Sequence, residues 1–107
     1  MSQIAQTPKP PYYAVIFSSV QTDYLQGYSE MADTMEQLAK QQPGYLGFES
    51  ARDGLGIAVS YWKDLESIKN WKNNVTHSEA QRLGRTKWYS AYKTRIALVK
   101  KEYSFDQ

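Results

Sequence analysis

An α+β fold, with one four-stranded antiparallel sheet carrying its helices on a single face, is what this sequence predicts, and three observations predict it. Segments of strand and helix periodicity follow one another in the order β-α-β-β-α-β. An Asp53-Gly54 step separates the two central strand candidates, a strong hairpin signal because glycine accepts the positive φ of a tight turn. The length of 107 residues and the 41% apolar composition suffice for one small core, and so for one domain.

The elements follow in order. Residues 1–11 are polar, and Pro8, Pro10 and Pro11 block both a helix and a sheet ladder, so this stretch is expected to be a flexible N-terminal arm, either a disordered leader or an arm laid on a partner subunit. Residues 12–107 form the single domain. From Tyr12 to Val20 both alternating sets are apolar, Tyr13, Val15 and Phe17 on one face and Ala14 and Ile16 on the other. A strand of that kind must be covered on both faces.

Asp23 and Gln26 have capping-box spacing, and Tyr28, Met31, Ala32, Met35, Leu38 and Ala39 make one helical stripe that should stop before Pro43. Two strands, 44–52 and 55–62, flank the turn, the second with Ile57, Val59 and Tyr61 opposite Ala58, Ser60 and Trp62. Asp64 caps a helix with Leu65, Ile68 and Trp71 on one side, which Asn73 and Asn74 are expected to interrupt. Thr76 and Glu79 then open a second helical piece with Ala80, Leu83, Gly84 and Trp88 inward, and a last strand runs from Tyr92 to Tyr103.

This order is that of the ferredoxin-like sandwich. Its helices cover one side of the sheet, so the apolar other side would leave a large exposed patch, and a homodimer closing two sheets against each other is the expected remedy.

Several classes are excluded or made unexpected. A net charge of +2 with scattered Lys and Arg lacks the basic footprint of a nucleic-acid binder, and the strand segment GLGIAVSYW lacks the basic-Gly-aromatic signature of RNA-binding sheets. No nucleic-acid partner is expected. The absence of Cys removes disulfides and thiolate chemistry and fits a reducing cytosol. No apolar run approaches a membrane span, and no signal peptide is evident, so the expectation is a cytoplasmic protein without a membrane partner. No cluster with metal-ligand spacing stands in the sequence, and neither a metal nor another cofactor is expected. Aromatic residues make up 14% of the chain, with nine Tyr and three Trp, which suits a pocket or interface that is partly wet and partly apolar. The ligand expected is therefore small and hydrophobic or aromatic.

Pro43-Gly44-Tyr45-Leu46-Gly47 before the second strand, Tyr61-Trp62-Lys63-Asp64 closing the third, and Ile68 and Trp71 in the next helix resemble the antibiotic biosynthesis monooxygenase family. The resemblance implies a dimeric α+β barrel with a pocket in each subunit between helices and sheet. The family includes cofactor-free oxygenases of aromatic polyketides and quinols, as well as heme-degrading enzymes.

The anthrone-type oxygenases pair the tryptophan matched by Trp62 with an Asn and a Tyr, where Ala58 and Ile68 stand here. The heme-degrading members carry a His ten residues after the tryptophan matched by Trp71 and an Asn on the first strand. Here Gln81 holds the ligand position, His77 lies only six residues after Trp71, and Tyr12 to Val20 contains no Asn. Both patterns are incomplete, which makes heme the less favoured alternative.

Cofactor-free oxygenation needs a base that generates an electron-rich anion and a dry pocket around it. His77, the only histidine, is the side chain whose ordinary pKa suits that base, the alternative being a capping or surface role. Arg85, or Lys87, would anchor the anion, and Trp62, Trp71 and Phe17 would bind substrate, although Trp71 and Trp88 also fit the apolar stripes of their helices. The expected function is a cofactor-independent monooxygenase of a small aromatic or quinone-like molecule, with a non-catalytic small-molecule-binding barrel as the alternative.

Overall fold

The computed structural model describes residues 3–76 and 87–107. Its elements are β1 (Tyr12–Gln21), α1 (Tyr28–Lys40), β2 (Tyr45–Asp53), β3 (Leu55–Trp62), α2 (Leu65–Thr76) and β4 (Tyr89–Val99). The strands form one antiparallel sheet in the order β2-β3-β1-β4, the ferredoxin-like α+β arrangement that the sequence predicts. β2 and β3 turn through Gly54, whose φ of 79° is the conformation for which glycine is needed there.

Because residues directly opposite each other share a face, the ladder fixes what lies under the helices. Tyr13 pairs with Trp62 and Leu98, Val15 with Ser60 and Ile96, Phe17 with Ala58 and Thr94, and Ser19 with Gly56 and Tyr92. On the far side of β3, Tyr45 stands opposite Trp62 and Arg52 opposite Gly56. Trp62 lies in the core with Ala39 of α1 and Ile68 of α2, and Tyr13, Val15, Tyr45 and Trp71 pack around them. Its indole is 0% exposed, and its polar edge is satisfied by donation from Nε1 to Ser60 Oγ at 2.8 Å.

Three boundaries differ from expectation, each for a local reason. Asp23 and Gln26 do not box the start of α1, which follows Gly27 at φ 82° with no side-chain cap. The preceding residues bond to the chain before β4 instead: Thr22 N–H donates to Trp88 O at 2.8 Å, Trp88 Nε1 donates to Gln26 O at 3.0 Å, and Thr22 Oγ1 bonds Lys87 O. Asn73 and Asn74 do not break α2. Asparagine costs a helix well under ~1 kcal/mol, and Asn74 Nδ2 donates across to Gln42 Oε1 at 3.1 Å. β4 starts and ends earlier than 92–103, because its partner β1 begins at Tyr12, opposite Val99, after two prolines that offer no N–H to a ladder. The Thr76–Glu79 capping box and the helical piece predicted after it fall, apart from Thr76 and Trp88, outside the described residues.

On the sheet face away from the helices, the arm lies against the sheet of its own chain. Ala5 N–H donates to Glu49 Oε2 at 2.9 Å, beside the bond from Tyr61 OH to Glu49 Oε1 at 2.7 Å. Glu102, beyond β4, accepts from Thr7 Oγ1 at 2.8 Å and from Tyr12 OH. Farther along this face, Val20, Leu55 and Ile57 remain 42–53% exposed. Among the described residues no helix is long and apolar enough to cross a membrane.

Candidate active site

The sequence-predicted binding residues fall at two places. Trp62 and Trp71 meet at one end of the helix-side floor, with ring centroids 6.0 Å apart and planes at 24°. Trp62 presents no surface to a ligand in the monomer, so it supports the floor from within, while Trp71 is half-buried on top of it. Phe17 lies four residues along β1 from Tyr13, the partner of Trp62, which is roughly 13 Å along the strand. His77 and Arg85 lie outside the described residues, as does Gln81. Lys87, the alternative anion anchor, is exposed, with its ammonium 5.5 Å from the centre of the Tyr24 ring.

Around Phe17 the chain assembles a second aromatic cluster. Its ring centre is 5.4 Å from those of both Tyr89 and Tyr92, which β4 brings alongside β1. Tyr28, at the first position of α1, closes the group edge-on to Tyr89 at 5.9 Å and to Trp88 at 6.0 Å. A bulge between Val20 and Gln21 shifts the ladder so that Gln21 faces Tyr89. Rings contributed by β1, α1 and the start of β4 thus converge at one end of the floor, a wall suited to a flat aromatic molecule.

Tyr89 OH donates to Tyr28 OH at 3.3 Å. Burial, and then that hydrogen bond, push the Tyr89 phenol well above the ordinary tyrosine range. It is therefore a hydrogen-bond donor at neutral pH and not a base, and a proton-abstracting group must come from elsewhere.

Next to this wall one rung crosses all four strands: Arg52, Gly56, Ser19 and Tyr92. The Arg52 guanidinium donates from Nη1 to Ser19 O at 3.2 Å and to Gly54 O at 3.3 Å, and from Nη2 to Ser19 Oγ at 2.6 Å. Ser19 is 2% exposed, whereas Arg52 is exposed. A Cβ on Gly56 would fall 2.2 Å from Arg52 Cζ, so the guanidinium occupies the space that any side chain at position 56 would take.

Sequence reasoning missed Arg52, Ser19, Tyr28, Tyr89 and Tyr92. The alternation that groups Phe17 with Tyr13 and Val15 also puts Ser19 on their face, but the meeting of Arg52 with Ser19 across β3 needs the strand order.

Two surface grooves of about 500 and 370 Å³ lie elsewhere, where the arm passes β2, and share Gln3, Ile4, Glu49 and Ser50 in their walls. Neither is lined by Phe17, Trp62 or Trp71. Among the described residues, no three His, Cys, Asp or Glu side chains converge as metal ligands would.

A four-stranded antiparallel sheet with two helices over a floor rich in aromatic side chains defines a ferredoxin-like α+β domain. The family model for antibiotic biosynthesis monooxygenase matches residues 11–83, and the chain belongs to that family. It is 46% identical over 109 aligned residues to the uncharacterized protein YqjZ of Bacillus subtilis, with all of this chain and 96% of that protein covered. SnoaB of Streptomyces nogalater, a cofactor-independent oxygenase, shares the fold at a TM-score of 0.64 and 10% identity, over 92% of this chain and all of that one. PA3566 of Pseudomonas aeruginosa does so at 0.65 and 12%, over 90% and 99%.

Proposed function

We propose that the protein is a cofactor-independent monooxygenase acting on a small aromatic or quinone-like molecule. The observation that carries this reading is the aromatic wall of Phe17, Tyr28, Tyr89 and Tyr92 at one end of the helix-side floor. Family membership and the shared fold of SnoaB support it.

In this reaction a substrate methylene or phenol flanked by electron-withdrawing groups loses a proton to His77. The resulting carbanion or phenolate, held by Arg85, passes one electron to dioxygen, and the radical pair combines to a peroxide. Collapse of the peroxide leaves one oxygen atom in a new carbonyl, and the other departs as water with two substrate hydrogens, both from the methylene or, for a phenol, one from the hydroxyl and one from the oxygenated ring carbon. Protein groups supply position, proton transfer and exclusion of water, and the electrons come from the substrate. Tyr89, kept protonated, donates to Tyr28 OH and leaves the Tyr28 O–H to hydrogen-bond a substrate oxygen; Trp71, resting on Trp62, shapes the far end of the floor.

A homodimer belongs to this proposal. Val20, Leu55 and Ile57 on the open sheet face are 42–53% exposed, as are Ile96 and Leu98 on the helix-side face of the edge strand β4, and the apolar surface of the open face suits a second copy.

One observation favours the binding-barrel alternative. Ile68, which stands where the anthrone-type oxygenases carry a tyrosine, is 5% exposed and committed to the core beside Trp62. Oxygen uptake with a panel of anthrones, quinols and phenols decides between the readings. The enzyme reading expects uptake with at least one of them and a fall of about 10²-fold or more for His77→Ala. Buffer-level uptake throughout, for both proteins, removes it for these substrates and leaves the binding barrel. A hemin titration is expected to give no Soret shift.

A further inference from the structure

We propose that Arg52, seated over Gly56 and fixed by Ser19, is an oxyanion-binding site beside the aromatic wall, and that it selects flat aromatic ligands carrying a carboxylate or phenolate. The inference deepens the function proposed above by naming the charge of the ligand, and it rests on that reading only in taking the aromatic wall as the ligand's place.

The directions of the hydrogen bonds carry the argument. An arginine has five N–H donors in one plane, arranged as an end-on pair across Nη1 and Nη2 and a side-on pair across Nε and Nη2. Ser19 engages both terminal nitrogens, with its carbonyl on Nη1 and its hydroxyl on Nη2, and Gly54 O also accepts from Nη1. Nε and one Nη2 hydrogen are left, without a partner among the described residues. This is the pair that matches two oxygens of a carboxylate, or a single phenolate oxygen between them.

Among the described residues the cation is likewise uncompensated. Among the described residues, the ion pair that forms is Lys40 Nζ with Glu36 Oε2 at 3.2 Å, far along the fold on α1, and no carboxylate stands within ion-pair distance of Arg52. Asp53 and Glu49 are on β2 too, but an odd number of residues from Arg52, so they face the other side of the sheet.

The position of the site couples it to the wall. Ser19 is the rung partner of Tyr92, and Tyr92 touches Phe17. The Arg52 charge also reaches Tyr89, on whose phenol it acts opposite to burial. A ring lying on Phe17 and Tyr92 would thus carry its acidic substituent toward the guanidinium. Because Ser19 is buried and holds two of the guanidinium's donors, the fork is pre-formed and loses little side-chain freedom on binding.

Calorimetric titration with 2-naphthoate and with its neutral isostere 2-naphthamide tests this without any turnover. The wild type is expected to bind the acid at least tenfold more tightly than the amide. Arg52→Gln should weaken the acid at least tenfold while leaving the amide unchanged, and Arg52→Lys, which keeps the charge but not the fork, should fall between. Circular-dichroism melts of both variants establish that they are folded.

Equal affinity for acid and amide, equal weakening of both by Arg52→Gln, or no binding of either compound overturns the proposal. Preference for the acid that depends on Arg52, in a protein that consumes no oxygen with any substrate, upholds the site and removes only the oxygenase reading.

Discussion

Gly44 shows how a single residue can be demanded twice over. Its φ of 86° suits glycine, and a Cβ there would fall 2.0 Å from Ser67 Oγ and 2.6 Å from Ser67 Cβ, at the start of α2. Its carbonyl accepts Lys63 N–H at 2.8 Å, so the same residue anchors the turn from β3 into α2. Gly44→Ala is therefore expected to cost about 2 kcal/mol or more in chemical denaturation, more than the usual penalty for positive φ alone. Trp62→Ala should cost about 3–5 kcal/mol, because the wholly buried indole leaves a cavity between Ala39 and Ile68 and an unpaired Ser60 hydroxyl. The sequence marks both residues, Gly44 in the Pro-Gly-aromatic step and Trp62 by alternation along its strand, but it points to Trp62 as a substrate contact and not as the centre of the core. It does not mark Arg52. Nothing in its local sequence distinguishes it from a solvated turn residue, and its partner Ser19 lies 33 residues away and two strands over.

At the scale of elements, α2 begins on a cap that the sequence announces. Asp64 Oδ1 accepts Ser67 N–H at 2.8 Å and Ser67 Oγ at 2.7 Å, and these bonds, the hydroxyl's first, hold the carboxyl below the ordinary aspartate range. A carboxyl with a lowered folded-state pKa stabilises fully above its unfolded value, near 3.8, and loses that contribution as pH falls through the lower folded value. The melting-temperature difference between wild type and Asp64→Asn should thus be positive at pH 7 and shrink toward zero in acid.

The opposite sign holds in the sheet. Burial raises the phenols of Tyr12, Tyr45, Tyr61 and Tyr89, so their contribution is complete below the ordinary tyrosine value near 10 and is lost as pH rises through the raised ones. Absorbance at 295 nm is expected to show a class of tyrosines that ionises only together with unfolding. The start of α1 was the least legible boundary. The Asp23 box is sound as local chemistry, but Thr22 is tied to Trp88 across 66 residues of sequence, and pairing at that distance leaves no trace in a capping pattern.

The whole molecule follows from its periodicities more directly than its site does. The succession of elements, one-sided helices and the two-sided apolarity of β1 were all readable, because a period of two and a period of 3.6 tell strand from helix and report which face is buried. Whether an open face meets a second copy is read from the mass in solution. Sedimentation of the 12.3 kDa chain is expected to give about twice that mass, and charge placed at Leu55 and Ile57 together should return it to the monomer value. A wild-type monomer across the micromolar range would rule the dimer out.

The seating of Arg52 over Gly56 reaches beyond ligand binding into how this sequence can vary. The two positions compete for one volume, so their substitutions cannot be independent. Gly56→Ala should push the exposed guanidinium aside and cost its bonds to Ser19 beside Arg52, and be nearly free beside Arg52→Ala, a non-additivity of about 0.5–3 kcal/mol in a double-mutant cycle. In a drifting lineage a side chain at 56 and the seating of Arg52 on Ser19 would accordingly exclude each other, so gaining the first means giving up the second.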